Sequence, residues 1–370
     1  MAEVVLASAS EKQKWISDYF KDYVRASGFS GYMGRSKNSV ILTKYELTEE
    51  AGKTINMPLV AKLSGSGVTG STVLDGNEEE LANYNFPISV DWRRNGVRVP
   101  KSQSYKTEIN LLGAARDALQ DWESEKLRDD IIKAFLQVIT AAGTDGASTV
   151  VDWADATAAN KNAYAVLNQD RLLFGKLVSN YSATFSTALG NLDTTDDKCT
   201  ASSMSLAKRR AKAASPIIRP YKSKVGQEYY VAFHGSRTFR DLKADSTITQ
   251  ANREARPRDV EANPLFQDGD LIYDGIVHRE VPEIDTMCTA LGGFDGQGGS
   301  SADVRPVFVC GQQAVGIAWG QEPMPKTDST KDYGFRPGVA IEELLGVKKL
   351  AYNGKQHGVL TAFFAAAADS

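Results

Sequence analysis

Cysteine is scarce in this 370-residue chain: Cys199, Cys288 and Cys310 stand singly, with no CxxC pair and no even-numbered framework. Neither a structural zinc nor a disulfide-stapled fold is expected, and a reducing compartment fits. Histidine is equally sparse, since His234, His278 and His357 lie far apart in sequence and show no HExxH-type ligand spacing. No stretch approaches the roughly 18 apolar residues of a membrane span, and the first ten residues have neither the basic start nor the apolar run of a secretory leader. The expectation is a chain made and used in cytosol, with no membrane partner. Charge of one sign is not in excess either. The 43 basic and 46 acidic residues give a formal charge of -3, far from the balance of a protein that works by neutralising phosphates, so contact with nucleic acid should be weak and non-specific.

Catalytic constellations are also missing. There is no GxSxG elbow, and His234 beside Ser236 in FHGS carries no triad geometry by itself. Asp268, Asp270 and Asp274 do not fit a calcium-loop spacing. Gly65, Gly67 and Gly70 spell GxGxxG, but a dinucleotide site needs a helix directly after the glycines, whose amides hold the pyrophosphate. Here the glycines run into Asp75, Glu78, Glu79 and Glu80, whose charges repel a phosphate. No cofactor, no metal and no enzymatic activity are expected.

What is present is enough apolar material for a core, 42% of residues, arranged in unusual proportions. Trp15, Tyr19 and Tyr23 recur at i, i+4 spacing over about residues 10–26, which predicts a helix with an aromatic stripe. Residues 54–63 and 88–99 both read as strands, separated by a Gly-rich and then acidic stretch. Together they describe a projecting β-hairpin with a polar tip; a tight turn at Asn95-Gly96 is the second reading. From Lys106 to Ala142 an approximately helical repeat (Ile109, Leu112, Ala115, Leu119, Trp122, Ile131, Ile132, Phe135, Ile139) predicts a strut of about 50 Å at 1.5 Å per residue. Further on, a helix at 205–214 carries Lys208, Arg209, Arg210 and Lys212; without interleaved aromatics it reads as a solvated face. Residues 217–221, 228–234, 271–278 and the pair 304–311 and 314–319 read as strands, 236–255 as helical, and two more strands lie near 346–351 and 358–364.

The order Gly52-Lys53-Thr54-Ile55, LVAKLSGSGVTG, LDGNEEEL (Leu74 to Leu81) and LLGAARDALQDWESEKLRDDI (Leu111 to Ile131) resembles the major capsid proteins of N-four-like podoviruses, tailed double-stranded DNA bacteriophages. Ile218-Arg219-Pro220, YYVAFHGSRTFRDLKAD (Tyr229 to Asp245), NPLFQDGDLIYDGIVHRE (Asn263 to Glu280) and YGFRPGVAIEELLGVKKLAYNGKQHGVL (Tyr333 to Leu360) agree in content and order. The resemblance lapses between Thr144 and Asn168. It implies an α+β fold of the Hong Kong 97 type, with an N-terminal arm (1–43), an extended loop (44–100), a peripheral domain (101–198) with its spine helix at 106–142, an axial domain (199–334), and a return to the peripheral domain (335–370).

It also implies a shell subunit that assembles through hexamers and pentamers into an icosahedral capsid around the genome. The virion is its place, and the host cytoplasm is where it assembles. Lys62, Gly65, Gly67, Gly70, Glu78, Glu79 and Glu80 are then expected at an inter-subunit contact of the loop, and Trp15, Tyr19 and Tyr23 at an arm contact. Portal protein and decoration proteins are further implied partners. With no long scaffolding extension ahead of the arm, a separate scaffold protein or none is expected. An encapsulin-like nanocompartment shell is the alternative.

Overall fold

The computed structural model describes residues 28–45, 52–60, 63, 65–79, 81, 83–105, 111–142, 148–222, 226–254 and 271–369. In chain order the strands are β1 (Met33–Gly34), β2 (Ile41–Lys44), β3 (Thr54–Val60), β4 (Asn83–Ser89), β5 (Asp91–Arg98), β6 (Val138–Ala142), β7 (Ser148–Val151), β8 (Leu172–Phe174) and β9 (Tyr221–Lys222). They continue as β10 (Glu228–His234), β11 (Leu271–Tyr273), β12 (Ile276–Glu280), β13 (Val304–Cys310), β14 (Val315–Asp328), β15 (Gly338–Lys349), β16 (Ala351–Tyr352), β17 (Lys355–Gln356) and β18 (Val359–Ala365). A five-stranded sheet has the order β1-β2-β14-β15-β5, and a seven-stranded sheet the order β11-β12-β10-β13-β18-β8 with β9 added on β10.

The centre of the larger sheet explains the core. β13 (VRPVFVC) and β18 (VLTAFFA) are buried at every position and pair antiparallel, Val304 opposite Ala365. Side chains alternate across a strand, so the pair serves two cores. Val304, Phe308, Phe363 and Ala365 join one cluster with Phe135 and Phe233, whereas Val307, Val309, Leu360, Ala362 and Phe364 join another with Met204, Ala207 and Ala211 of the helix Ala201–Ala213. Burial of each large apolar side chain contributes roughly 1.5–3 kcal/mol. Strands covered on both faces read as continuous apolar runs, as these do.

The long helix spans Leu111–Leu136, about 39 Å at 1.5 Å per residue. Ala115 and Leu119 pack on Val339 and Ile341 of β15, while Leu127, Ile131, Ile132 and Phe135 enter the main core. The helix therefore ties the two sheets together along its length. Its expected extent to Ala142 is corrected: Val138–Ala142 is a strand paired with Ser148–Val151. The β-branched run Val138-Ile139-Thr140 favours a ladder over a further helical turn. Residues 106–110 lie outside the described residues.

Three other expectations change. The second hairpin strand is β4, not 88–99; after Val90 the chain leaves the hairpin and β5 pairs with β15. No turn forms at Asn95-Gly96, since both sit inside that ladder opposite Ile341 and Ala340. The strands at 304–311 and 314–319 do not pair with each other: β13 lies between β10 and β18, and β14 between β2 and β15. Sheet membership also cuts across the divisions at 199 and 334. β8 and β18 lie in the seven-stranded sheet and β14 in the five-stranded one, because partner choice between strands is set by non-local packing that spacing along the chain does not encode. Finally, the helical stretch at 236–255 is two helices, Ser236–Ala244 and Ser246–Glu254, broken at Asp245, whose carboxylate accepts the amides of Thr247 and Ala201.

Candidate assembly surfaces

The hairpin of β3 and β4 is seven pairs long, from Thr54 opposite Ser89 to Val60 opposite Asn83. At its base the alternation is that of a half-buried ribbon: Ile55, Met57, Phe86 and Ile88 are buried and their neighbours exposed. Tyr352 holds the base, its hydroxyl donating to the carbonyl of Met57 at 3.2 Å and its ring lying 6.1 Å from Phe86. Gly346 is required there, because a Cβ at that position would fall 2.1 Å from the carbonyl oxygen of Ser89. Toward the tip the cover fades. Val60 and Leu63 are more than half exposed, as are Val73 (68%), Leu74 and Leu81.

The tip is tied by its own carboxylates. Glu79 accepts the amide of Gly65 at 2.6 Å, Glu78 accepts that of Gly76 at 2.7 Å, and the carbonyl of Leu74 accepts the amide of Asn77 at 2.8 Å. Gly67, Gly70 and Gly76 have φ near +70 to +85°, where glycine carries no steric cost. After Gly70 a turn follows, not a helix, and the Gly65 amide is given to an acid of the chain itself. Of the residues singled out from sequence, Gly65 and Glu79 are thus brought into contact, and Gly67, Gly70 and Glu78 lie on the same tip. Lys62, Glu80, Trp15, Tyr19 and Tyr23 lie outside the described residues.

A second exposed patch escaped sequence reasoning. Tyr105, Tyr333 and Phe335 are exposed at the far end of the five-stranded sheet, where the amide of Lys101 donates to the carbonyl of Phe335 at 2.9 Å. Asp332 and Tyr333 both adopt positive φ, +54° and +50°. Three aromatics within 333–335 and at 105 were the available signal, but only the β5–β15 pairing brings them to one end.

Elsewhere the polar groups are structural ties. Lys208 donates to the Asp274 carboxylate at 3.0 Å and Arg210 bonds the carbonyl of Gln169, so two of the four cations of helix Ala201–Ala213 are engaged within the subunit. His234 and His278, on the adjacent parallel strands β10 and β12, meet at 2.9 Å between Nε2 and Nδ1, fully buried. Burial, and for His234 its partner ring, holds both well below the usual histidine range, His278 at about 3. The three cysteines are buried thiols, each pushed up by burial.

The phage capsid protein family matches residues 3–362 of this chain. A relative, the major capsid protein of Pseudomonas phage KPP25, is 26% identical over 375 residues, covering 96% of this chain and 95% of that protein. A chain of the cyanophage Pam1 capsid asymmetric unit is 47% identical with a TM-score of 0.85, and each chain is covered completely. The capsid of Ralstonia phage GP4 shares the fold at a TM-score of 0.69 and 23% identity, with 92% of this chain and 90% of that one covered. The α+β fold is thus of the Hong Kong 97 type. These matches do not favour the encapsulin alternative, and the narrower N-four-like placement goes beyond them. A two-sheet body with a protruding ribbon, matched over almost all of its length to shell subunits, leads to one conclusion: the chain belongs to the phage capsid protein family and is a major capsid protein of a tailed phage.

Proposed function

We propose that copies of this chain close an icosahedral shell around double-stranded DNA through hexamers and pentamers, acting as structural and not catalytic subunits. The observation that carries this reading is the fading cover of the hairpin: a base seated on the subunit's own sheet and a tip that presents Leu63, Val73, Leu74 and Leu81 to solvent. A two-stranded ribbon is marginal alone, so the tip gains its stability from a neighbouring copy. In this assignment the arm lies ahead of β1 and the β3–β4 hairpin is the extended loop, with Trp15, Tyr19 and Tyr23 packing on an adjacent subunit. The five-stranded sheet with the long helix is the peripheral domain, and the seven-stranded sheet is the axial domain. Obligate interfaces of this kind bury on the order of 2,000 Å² or more. A portal protein and decoration proteins are the other partners, with a separate scaffold protein or none, contacts with the packaged DNA are weak and non-specific, and assembly takes place in the host cytoplasm.

Replacing residues 65–70 by a short flexible linker tests the reading. Loss of closed particles by electron microscopy, with the subunit still folded, is expected; normal shells in normal yield would overturn it.

A further inference from the structure

Two Asn-Gly pairs occur in the chain, Asn95-Gly96 and Asn353-Gly354. In such a pair the side-chain carboxamide and the next backbone nitrogen can close a five-membered ring, and glycine, with no Cβ, leaves that nitrogen open to approach. The fold sets the two pairs in opposite situations.

Asn95 and Gly96 lie inside β5, opposite Ile341 and Ala340. Hydrogen bonding in an antiparallel ladder alternates by residue. The amides of Val99 and Lys101 donate to Pro337 and Phe335 across the register that continues this ladder. Odd-numbered amides of β5 therefore face β15, and that of Gly96 faces away from it. On that side, among the described residues, no strand pairs with β5. The Gly96 amide donates instead to Oδ1 of Asn95 at 2.9 Å. Cγ is one bond from Oδ1, so the carboxamide is folded back against the nitrogen that can attack it, as a near-attack arrangement requires. Gly96 is exposed and Asn95 half-buried, which gives water access to both. Packing demands the glycine: a Cβ at 96 would meet that of Ala340 at 3.0 Å and the carbonyl oxygen of Val339 at 3.2 Å.

Asn353 and Gly354 form the turn between β16 and β17, with φ of +50° and +76°. Here the Gly354 amide donates to the hydroxyl of Ser148 at 2.9 Å, its carbonyl accepts from Asn168 at 3.4 Å, and the residue is buried. The nitrogen of this pair is engaged by another segment and covered.

We propose that Asn95 is a self-modification site. The Gly96 nitrogen gives up its proton and bonds to Cγ of Asn95; the carboxamide C–N bond breaks, and ammonia leaves with the proton. Water then opens the cyclic imide at either carbonyl, giving aspartate or isoaspartate, with no oxidant or reductant. Ring closure turns Asn95 out of extended backbone, so it takes place in local openings in which β5 lifts from β15. Either product adds a carboxylate. Isoaspartate also inserts a carbon into the main chain, so residues beyond 95 lose their register with β15. The β5–β15 ladder thus loosens as the protein ages, whether or not the shell-subunit reading holds.

Peptide mapping by mass spectrometry of the unmodified protein tests this, with folded protein and protein in urea incubated in parallel at mildly alkaline pH. In the folded protein Asn95 is expected to convert to a mixture of aspartate and isoaspartate at least fivefold faster than Asn353. In urea the two pairs should react at similar rates, because the difference between them comes from the fold. A folded-state ratio under fivefold, no detectable conversion of Asn95, aspartate as its sole product, or the same ratio in urea overturns the proposal.

Discussion

Arg93 and Glu343 stand directly opposite each other in the β5–β15 ladder and bond through their side chains. Glu343 is 1% exposed at its side chain, and Arg93 reaches on to Asp130 of the long helix. Three segments distant in sequence, the strand leaving the hairpin, the closing strand of the sheet and the strut, are therefore locked through one guanidinium. Removing one partner of a buried pair typically costs about 3–5 kcal/mol, less here because Arg93 is partly exposed. Arg93→Met is expected to lower the stability of the unassembled subunit by about 2–3 kcal/mol in urea denaturation. Arg93→Met with Glu343→Met should recover part of that loss, because the fully buried carboxylate is then gone, while Asp130, 31% exposed, still lacks its partner. Equal destabilisation by the single and double changes would contradict this account.

The hairpin base should be intolerant of a single methyl group. Gly346→Ala places a Cβ against the Ser89 carbonyl and the Ile88 side chain. Overpacking of this kind costs about 1–3 kcal/mol. A drop of that size in thermal denaturation is expected, whereas Gly190→Ala, where a Cβ meets nothing within 4 Å, should change little.

Charge at the exposed tip should separate folding from assembly. Val73→Asp with Leu74→Asp touches no described core residue, so subunit stability is expected to stay within about 0.5 kcal/mol. Closed particles should nevertheless disappear from negative-stain images. Wild-type particle yield from this double variant would argue against the tip as a contact.

Acid should weaken the subunit through histidines that the fold keeps neutral. His278 is held at about 3 and His357 at about 4, mainly by burial, and His234 lies well below its ordinary value. Arg171 and Arg219 add to the depression of His357. Above pH 6.5 neither state binds a proton at these rings, and stability does not depend on them. As pH falls below 6.5 the unfolded chain takes protons that the folded one refuses, so stability falls by up to about 1.4 kcal/mol per pH unit for each ring. For His357 the loss is complete near pH 4 and for His278 near pH 3. Denaturation midpoints at pH 7.0 and 5.5 should show the decline, and His357→Gln should flatten it by about a third. Identical pH slopes for the variant and the parent would rule out His357 as a contributor.

The hairpin, the strut and the mixed α+β class were legible because each depends on local periodicity: alternation at Ile55, Met57, Phe86 and Ile88, and a 3.6-residue repeat from Leu112 to Phe135. What escaped depends on partners far apart in sequence. His234 and His278 are 44 residues apart and meet only because β10 and β12 run parallel. Asp91 and Asn95 carry no sequence mark as the acceptors of the Trp92 and Gly96 amides until β5 is seen as the last strand of its sheet among the described residues. Tyr105 and Tyr333 likewise converge only through the β5–β15 register. The polar, acidic hairpin tip was legible from composition, but the bonds from Gly65 to Glu79 and from Gly76 to Glu78 follow from the fold of the loop.

The order of strands in the larger sheet also governs synthesis. β13 gains its second neighbour only when residues 359–365 arrive, and β8, made nearly two hundred residues earlier, waits for the same segment. A ribosome-bound chain that has exposed its ribbon and strut is therefore still hollow at the middle of this layer. Lattice-forming contacts made by such a nascent subunit would lack a rigid body behind them, so translation itself sets the moment at which a copy becomes fit for incorporation.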